Sequence, residues 1–193
     1  GLIMNWGVAW VAHPFGHVPA SDRSLVAVSP EVFYSDGAFL AVSHRDVDFL
    51  KSAALASPRK RARLCFHSSP EEAQQEMLIV MHRDSYVCPH RHFKKVETLA
   101  IVEGSCDALL FDTRGNLLER LAMTSPGYGG AFFYRMPPGH FHSLLFRSEW
   151  VVFVETTIGP FTLKASESAP WAPPESDPTA GAAFLASVTG SLS

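Results

Sequence analysis

The feature that most restricts the fold of this chain is a long series of short, strand-like segments between Arg59 and Lys164. Segments such as "RARLCFH", "EMLIVMH" and "WVVFVETT" are rich in β-branched, aromatic and other apolar residues. Turn residues separate them, among them Asp84-Ser85, the run 113–116 and the run 137–139. Many short strands with frequent turns predict an all-β sandwich or barrel.

The segments on either side of this series follow different patterns. "HRDVDFLKSAALA" has apolar residues at helical spacing, follows Ser43, a favoured N-cap residue, and precedes Pro58. Upstream, "VFYSDGAFLAVS" is predicted to be a hairpin with its turn at 35–37. We therefore expect an N-terminal arm, a hairpin and one helix over residues 1–57.

The predicted barrel occupies residues 58–164. Beyond it, residues 165–193 are rich in Pro, Ser and Ala, and they are expected to form an extended C-terminal tail with poor order at its end. Trp171 is the residue of this tail that we expect to hold it against the barrel.

The composition excludes several classes of partner. The chain has 193 residues, of which 47% are hydrophobic and 18% charged, and a formal net charge of −3. This suits one globular domain and gives no basis for nucleic-acid binding. The basic run "PRKRAR" at 58–63 is short, and it is interpreted either as a solvated strand or turn or as an anion contact.

Cysteine usage and hydropathy indicate the compartment. The three cysteines are not closely spaced, which argues against a disulfide framework and for a reducing environment. No apolar run approaches the length of a membrane span, and the start of the sequence lacks the basic region of a signal peptide. We expect a cytoplasmic protein with no membrane partner.

Two histidines and a glutamate stand close together in "PHRHFKKVETLAIVEG". Because side chains alternate along a strand, His90 and His92 point to the same face. If that face lines the barrel, both imidazoles enter one cavity, where burial without a partner is costly. A metal ion removes that cost, because imidazole nitrogen is a ligand for several transition metals. Glu97 follows a bend at 93–95 and can turn its carboxylate toward the same cavity.

A fourth candidate ligand comes from a distant strand. The segment "MPPGHFH" places His142 just after a Pro-Gly turn, from which it can reach the cavity from the opposite wall. A lone His-x-His pair is also common on surface strands, so the pair by itself leaves that interpretation open. The four residues together indicate a metal site.

The spacing of these residues resembles the two sequence motifs of the cupin superfamily. In the first motif Asp84 takes the leading glycine position, and the residues in register are His90, His92, Glu97 and Gly104. The second motif is matched by Pro137, Gly139 and His142, with Ala131 at its leading glycine and Phe146 at its usual asparagine. These departures fall at turn and packing positions, not at ligands.

More narrowly, the chain resembles the WbuC family of cupin-fold metalloproteins. The similar stretches are "SPRKRARLCFH", "SYVCPHRH", "LLFDTRGN", "FYRMPPGHFHS", "VETTIGPF" and "APWAPPE", within about residues 57–175. The resemblance implies a cupin double-stranded β-helix, which is a jelly-roll barrel, with one metal held by His90, His92, Glu97 and His142. Members of that family are associated with bacterial polysaccharide (O-antigen) gene clusters, and cupins commonly form homodimers.

The ligand set restricts the metal. Three imidazoles and one carboxylate form a mixed N/O set without thiolate, whereas closed structural zinc sites use cysteines more often. Such a set suits one divalent transition metal, which can be Fe, Mn, Ni, Co or Zn. Open coordination positions would allow a substrate to chelate, O₂ to bind, or a carbonyl to be polarised.

Three further residues are candidates for a catalytic role. Glu155 shares a face with apolar residues of its strand, and it is a candidate general base or histidine-orienting group, with an ion pair to an arginine as the alternative. His67 is a candidate proton shuttle or substrate contact, or else a rim histidine. Tyr134 is a candidate pocket hydroxyl, or else a packing residue. Cys88 is expected to line the cavity rather than to act as a ligand or a redox-active thiol.

These features favour a metal-dependent enzyme acting on a small molecule, by isomerisation, epimerisation or oxygenation. The family association makes a carbohydrate-derived substrate the expected one. Two alternatives stay open, namely a module that binds a sugar or anion through the metal without turnover, and a protein whose metal only stabilises the barrel.

Overall fold

The computed structural model describes residues 10–13, 16–19, 25–35 and 40–190. The described chain is mostly β-structure with two α-helices, α1 (His44–Ala56) and α2 (Pro178–Thr189). The strands are β1 (Trp10–His13), β2 (Gly16–Pro19), β3 (Leu25–Ser29), β4 (Val32–Ser35), β5 (Arg61–Cys65), β6 (Gln74–His82), β7 (His90–His92), β8 (Glu97–Glu103), β9 (Ser105–Phe111), β10 (Leu117–Thr124), β11 (Phe133–Met136), β12 (Phe141–Phe146), β13 (Trp150–Ile158) and β14 (Ser166–Ser168).

The strands from β6 to β13 form two facing sheets with the connectivity of a jelly roll. One sheet contains the order β6-β13-β8-β11 and the other the order β7-β12-β9-β10, with antiparallel pairing throughout. Apart from the β9–β10 hairpin, successive strands alternate between the two sheets. This is the double-stranded β-helix of cupins, so the predicted fold class is confirmed.

The N-terminal region extends one of these sheets. Strand β5 pairs antiparallel with β6, β4 pairs parallel with β5, and β3 pairs antiparallel with β4. The segment Val32–Ser35 is therefore a strand, as predicted, but its hairpin partner precedes it in the chain. The predicted turn continues into residues 36–39, which lie outside the described residues, and residues 40–42 form no strand.

Alternation along the strands divides the buried apolar residues between the inside of the barrel and its outer faces. The interior cluster contains Cys65, Met77, Ile79, Met81, Val87, Leu99, Ile101, Cys106, Ala108, Met123, Leu144, Val151 and Phe153. A second cluster lies between β5–β6 and α1, where Leu50 and Ala54 are completely buried. A third lies between the sheet that contains β7 and the C-terminal segment. The barrel interior is therefore covered on both outer sides.

The predicted helix is confirmed as α1. It begins after Ser43, whose backbone N–H donates to the Asp46 carboxylate at 2.7 Å, and ends before Ser57. A carboxylate in the first turn stabilises the free amide groups at that end of a helix.

The C-terminal tail is not simply extended, which corrects the prediction for residues 165–190, whereas residues 191–193, at the predicted poorly ordered end, lie outside the described residues. Strand β14 pairs with β7, and α2 packs on the barrel through the buried Leu185. The helix has a side-chain cap from Asp177 to the Ala180 N–H at 3.0 Å, a proline at its first turn and Gly190 in the left-handed conformation at its end. Alanine and leucine inside it are strong helix formers, which the abundance of proline and serine just before it obscured.

The basic run at 58–63 makes ion pairs between segments of the chain. Arg59 donates to Glu31 at 2.9 Å and to Glu175 at 3.0 Å, and Arg61 also pairs with Glu175. These contacts join β5 to the loop before β4 and to the C-terminal segment. The run therefore forms a turn and the start of β5, as the first interpretation has it, but Arg59 and Arg61 are paired with carboxylates rather than simply solvated.

Candidate metal centre

Three short elements of the fold bring the four predicted ligands together. Strand β7 carries His90 and His92 on its inner face, and β12 places His142 directly opposite His90 in the ladder. Glu97 is the first residue of β8, in the facing sheet. The bend between β7 and β8 crosses from one sheet to the other, so that Glu97 faces the histidines across the barrel.

The four side chains form one compact group. One ligand atom from each of His90, His92, Glu97 and His142 lies within 4.8 Å of all the others. The ring centroids of His90 and His142 are 4.5 Å apart, and those of His90 and His92 are 5.2 Å apart. A group of this size can hold a single metal ion, because metal–nitrogen and metal–oxygen bonds are about 2.0–2.2 Å long.

Backbone carbonyls set the orientation of two of the imidazoles. Nδ1 of His90 lies 3.0 Å from the carbonyl oxygen of Cys88, and Nδ1 of His142 lies 2.9 Å from that of His140. A carbonyl on Nδ1 fixes the tautomer that leaves Nε2 free to bind a metal. Nε2 of His142 is buried and has no hydrogen-bond partner in the part of the chain that the structure describes, and a buried polar atom of this kind is costly unless a ligand satisfies it. The donor set therefore fits a metal ion.

Glu97 connects the group to the opposite wall. Its Oε2 lies 3.1 Å from Nε2 of His92, and its Oε1 accepts a hydrogen bond of 2.9 Å from the Tyr134 hydroxyl. Nε2 of His142 is 3.7 Å from Oε1, which is ion-pair distance rather than a hydrogen bond. Glu97 is only 4% exposed. The carboxylate is therefore shielded from water, and it interacts with the histidines and with Tyr134.

The ionisation of the group follows from these contacts. Burial raises the pKa of Glu97, but the imidazoles of His142 and His92 more than offset it and hold that pKa below its usual value. Burial and the neighbouring His142 lower the pKa of His90 to about 4. Burial also lowers the pKa of His142, yet Glu97 outweighs it and raises that pKa overall. At neutral pH the group offers a carboxylate and the neutral His90, as a metal site requires.

Tyr134 and Glu155 lie on the same inner face as Glu97. Glu155 stands opposite Leu99, and Leu99 stands opposite Tyr134, so Glu155, Leu99 and Tyr134 form one row across β13, β8 and β11. Leu99 is two residues after Glu97 on β8 and therefore shares its face. Burial and the charge of Glu97 raise the pKa of Glu155 well above its ordinary value. The same two causes raise the pKa of Tyr134, which keeps its hydroxyl protonated and able to donate. Both predicted candidates therefore face the interior beside the ligand group.

His67 is buried elsewhere. Its Nδ1 lies 3.1 Å from both the backbone N and the backbone O of Glu76, and its ring packs edge-on against Tyr34 at 5.5 Å. Burial lowers its pKa. The ligand group identified among the described residues does not include it.

Cys88 does not line the cavity, which corrects that prediction. Its side chain belongs to the outer cluster with Tyr86 and Leu109, because Pro89 interrupts the alternation between Cys88 and His90. The contribution of Cys88 to the centre is its backbone carbonyl. The sequence gives no signal for that contact, or for the equivalent one from His140, because every residue type carries a carbonyl.

The fold and the site together define the class of protein, a cupin-type jelly roll with a three-histidine, one-glutamate group inside it. A family model described as a domain of unknown function (DUF6016) matches residues 42–123, which include three of the four ligands. No curated protein matches the chain.

Several solved structures are similar in fold. The capsular polysaccharide assembling protein CapF from Staphylococcus aureus matches with a TM-score of 0.49 and 13% identity over 58% of this chain and 32% of that one. Oxalate decarboxylase from Bacillus subtilis matches with a TM-score of 0.44 and 16% identity, over 56% of this chain and 27% of that one. An uncharacterized protein with a double-stranded β-helix domain from Klebsiella pneumoniae matches with a TM-score of 0.45 and 12% identity, over 58% of this chain and 82% of that one. The matched region spans about a third of CapF.

The length and hydropathy of a helix decide whether it can cross a bilayer. In the described part of the chain, neither α1 nor α2 is long and apolar enough to cross a bilayer.

Proposed function

We propose that this protein binds one divalent transition metal through His90, His92, Glu97 and His142 and acts as a metal-dependent enzyme on a small molecule. The observation that carries the proposal is Nε2 of His142, which is buried without a hydrogen-bond partner among the described residues and lies in a group with a carboxylate and two further imidazoles within 4.8 Å. Four protein ligands on a metal that takes five or six leave positions for a substrate.

The bound metal would act as a Lewis acid toward a coordinated substrate oxygen. The chain's own residues have separate roles around it. The carbonyls of Cys88 and His140 hold two imidazoles in the binding tautomer, and Tyr134 holds one oxygen of Glu97, which directs the other toward His92. Glu155 has no such bond to Glu97, and its raised pKa suits a group that exchanges a proton with a bound substrate.

The reaction type follows from what this arrangement can do. A Lewis-acidic metal beside a carboxyl group of raised pKa suits isomerisation or epimerisation next to a carbonyl, and a metal with open positions also suits oxygenation. The expectation of a carbohydrate-derived substrate and of a role in bacterial polysaccharide synthesis rests on the sequence resemblance. The contacts of His67 with Glu76 and Tyr34 give it a packing role in this proposal.

Elemental analysis of the purified protein tests the metal. We expect about one equivalent of a transition metal in the wild type and a loss of most of it in His142→Ala, whereas His44→Ala, an exposed histidine at the start of α1, keeps it. Equal metal content in the wild type and His142→Ala would reject the site.

Turnover then separates an enzyme from a binding module. The metal-loaded protein is incubated with small sugar-nucleotide and keto-acid libraries, and products are followed by mass spectrometry beside the metal-free protein. Metal-dependent product supports the enzyme. Saturable, metal-dependent binding with no product over prolonged incubation would favour the non-catalytic module.

A further inference from the structure

A groove of about 260 Å³ opens beside the ligand group, between the edge strands of the two sheets. It is lined by residues of β9, β10, β11 and the turn before β12, namely Ala108, Leu109, Leu110, Glu119, Leu121, Tyr134, Arg135, Met136, Pro137 and His140. The edge strands on its two sides are β10 and β11. We propose, on the basis of the function above, that this groove binds the body of a small aliphatic ligand whose oxygen-donor head chelates the metal.

Strand register connects the groove to the ligand group on one side. Glu119 stands opposite Leu110, Leu110 opposite His142, and His142 opposite His90. Residues directly opposite in antiparallel strands point to the same face, with Cβ atoms about 4.5–5.5 Å apart. Leu110 is therefore the immediate neighbour of the His142 imidazole, and the Glu119 carboxylate lies one strand further along the same row.

The other wall is connected in the same way. Met136 stands opposite Glu97 in the β11–β8 ladder, and the Tyr134 hydroxyl donates to Glu97. Leu110 therefore adjoins His142 in one sheet, and Met136 adjoins Glu97 in the other. A molecule in the groove would have one end at the ligand group.

The chemistry of the lining defines the ligand. The half-buried apolar side chains next to the ligand group are Leu110, Leu121 and Met136, and Leu121 stands opposite Ala108. Tyr134 is half-buried beside them, with its hydroxyl donated to Glu97. The apolar side chains give no hydrogen bonds to a hydroxylated sugar ring, and they favour contact with carbon and hydrogen. The volume lies below the roughly 300–1,000 Å³ of pockets that enclose drug-sized molecules, which indicates a short ligand.

Glu119 adds a polar end to this apolar path. Its side chain is exposed, and among the described residues it makes no hydrogen bond or ion pair with another side chain. A carboxylate in that position accepts hydrogen bonds and attracts a cation. The groove therefore suits a hydroxy- or oxo-carboxylate-type chelator with a short aliphatic body that ends in an amine or hydroxyl, in place of the carbohydrate-derived substrate that the sequence resemblance suggests.

Hydroxamates test this inference, because their head group chelates transition metals and their tails can be varied. The metal-loaded full chain is titrated by calorimetry with acetohydroxamate, hexanohydroxamate, dodecanohydroxamate and 6-aminohexanohydroxamate. Hexanohydroxamate should bind at least about tenfold more tightly than acetohydroxamate, because burying each methylene contributes favourably. Dodecanohydroxamate should gain no more than hexanohydroxamate, because the groove is short.

Two variants and one control show where the tail of the bound hydroxamate lies. Leu121→Gln should abolish most of the preference for hexanohydroxamate over acetohydroxamate, while Leu118→Gln, an exposed position on the outer face of β10, should keep it. Glu119→Gln should weaken 6-aminohexanohydroxamate several-fold and leave hexanohydroxamate unchanged. Metal content is measured for each sample.

The outcomes separate this inference from the proposed function. If the metal binds but all four hydroxamates bind equally, or if Leu121→Gln keeps the preference, the groove is not the ligand site and the metal centre stands. If no metal binds to the wild-type chain, both are overturned.

Discussion

Tyr134 on β11 donates its hydroxyl to Oε1 of Glu97 at 2.9 Å, while Nε2 of His92 lies 3.1 Å from the other carboxylate oxygen, Oε2. The tyrosine comes from an edge strand and the glutamate from its neighbour in the same sheet. The bond fixes the rotation of a carboxylate that the proposed metal needs.

Loss of this bond should weaken metal binding without unfolding the protein. Groups that orient a metal ligand contribute about 10- to 100-fold to affinity, so Tyr134→Phe is expected to lower metal affinity by that factor. Competition with a coloured chelator measures it. Tyr128→Phe, at a residue that is 79% exposed, is the matched control and should bind metal like the wild type. Unchanged affinity in Tyr134→Phe would show that Glu97 needs no support from β11.

Glu155→Gln should stabilise the metal-free protein at alkaline pH and leave it unchanged at acid pH. Because the folded pKa of Glu155 is raised, the folded state keeps a proton that the unfolded chain has lost above about pH 4.3. That contribution to stability is complete below the unfolded pKa and is lost as the pH rises through the folded pKa. Glutamine cannot ionise, so we expect a gain on the order of 1 kcal/mol at pH 8.

Urea denaturation at pH 4 and pH 8 measures this difference in the free energy of unfolding. Glu71→Gln, an exposed glutamate in the loop before β6, is the control and should change little at either pH. A loss of stability at pH 8 in Glu155→Gln would mean that Glu155 is ionised and paired in the folded protein.

Two neighbouring histidines should titrate far apart in the metal-free protein. The pKa of His90 is lowered to about 4, mainly by burial, while Glu97 raises the pKa of His142 against the effect of burial. The His142 contribution to stability is therefore present below the ordinary histidine pKa of about 6.5 and is lost as the pH rises through its folded pKa. Imidazole NMR shifts followed from pH 3 to pH 9 measure both residues.

The difference in pKa between His90 and His142 also predicts how metal binding depends on pH. At pH 6 the metal must displace a proton from His142 but none from His90, so the apparent affinity should rise with pH in this range. Calorimetry in buffers with different ionisation heats counts the protons released. A titration of His90 at higher pH than His142 would contradict the proposed arrangement of the charges.

Gly181→Ala should destabilise the protein, although alanine is the better helix former. A Cβ at this position of α2 would lie 2.3 Å from the ring of Tyr86, and the Tyr86 hydroxyl is tied to the carbonyl of Pro173 at 2.8 Å. Because the overlap with a tethered ring is severe, its cost should lie in the upper part of the about 1–3 kcal/mol range of overpacking and outweigh a propensity gain of about 1 kcal/mol.

Thermal and urea denaturation measure this effect. Ala182→Gly, at the exposed neighbouring position, shows the propensity effect alone and should cost about 1 kcal/mol. Higher stability of Gly181→Ala than of the wild type would show that α2 does not pack on Tyr86 as described.

Much of the ligand group could be predicted because it depends on local rules. The two-residue period of a strand puts His90 and His92 on one face, and the Pro-Gly turn before β12 introduces His142. The register that puts His142 opposite His90 could not be predicted, because the pairing of these residues, 52 positions apart in the sequence, depends on the whole topology. The prediction that Cys88 lines the cavity is wrong, because Pro89 breaks the alternation on which it depends.

The sequence by itself determined the strand series, helix α1 and the residue types of the centre, because alternation, capping and turn chemistry act over a few residues. Only the tertiary structure decided which atoms support those residues. The carbonyls of Cys88 and His140, the hydroxyl of Tyr134 and the groove between β10 and β11 arise where distant segments meet. Such contacts depend on how the two sheets close into a barrel, and no short stretch of sequence encodes that closure.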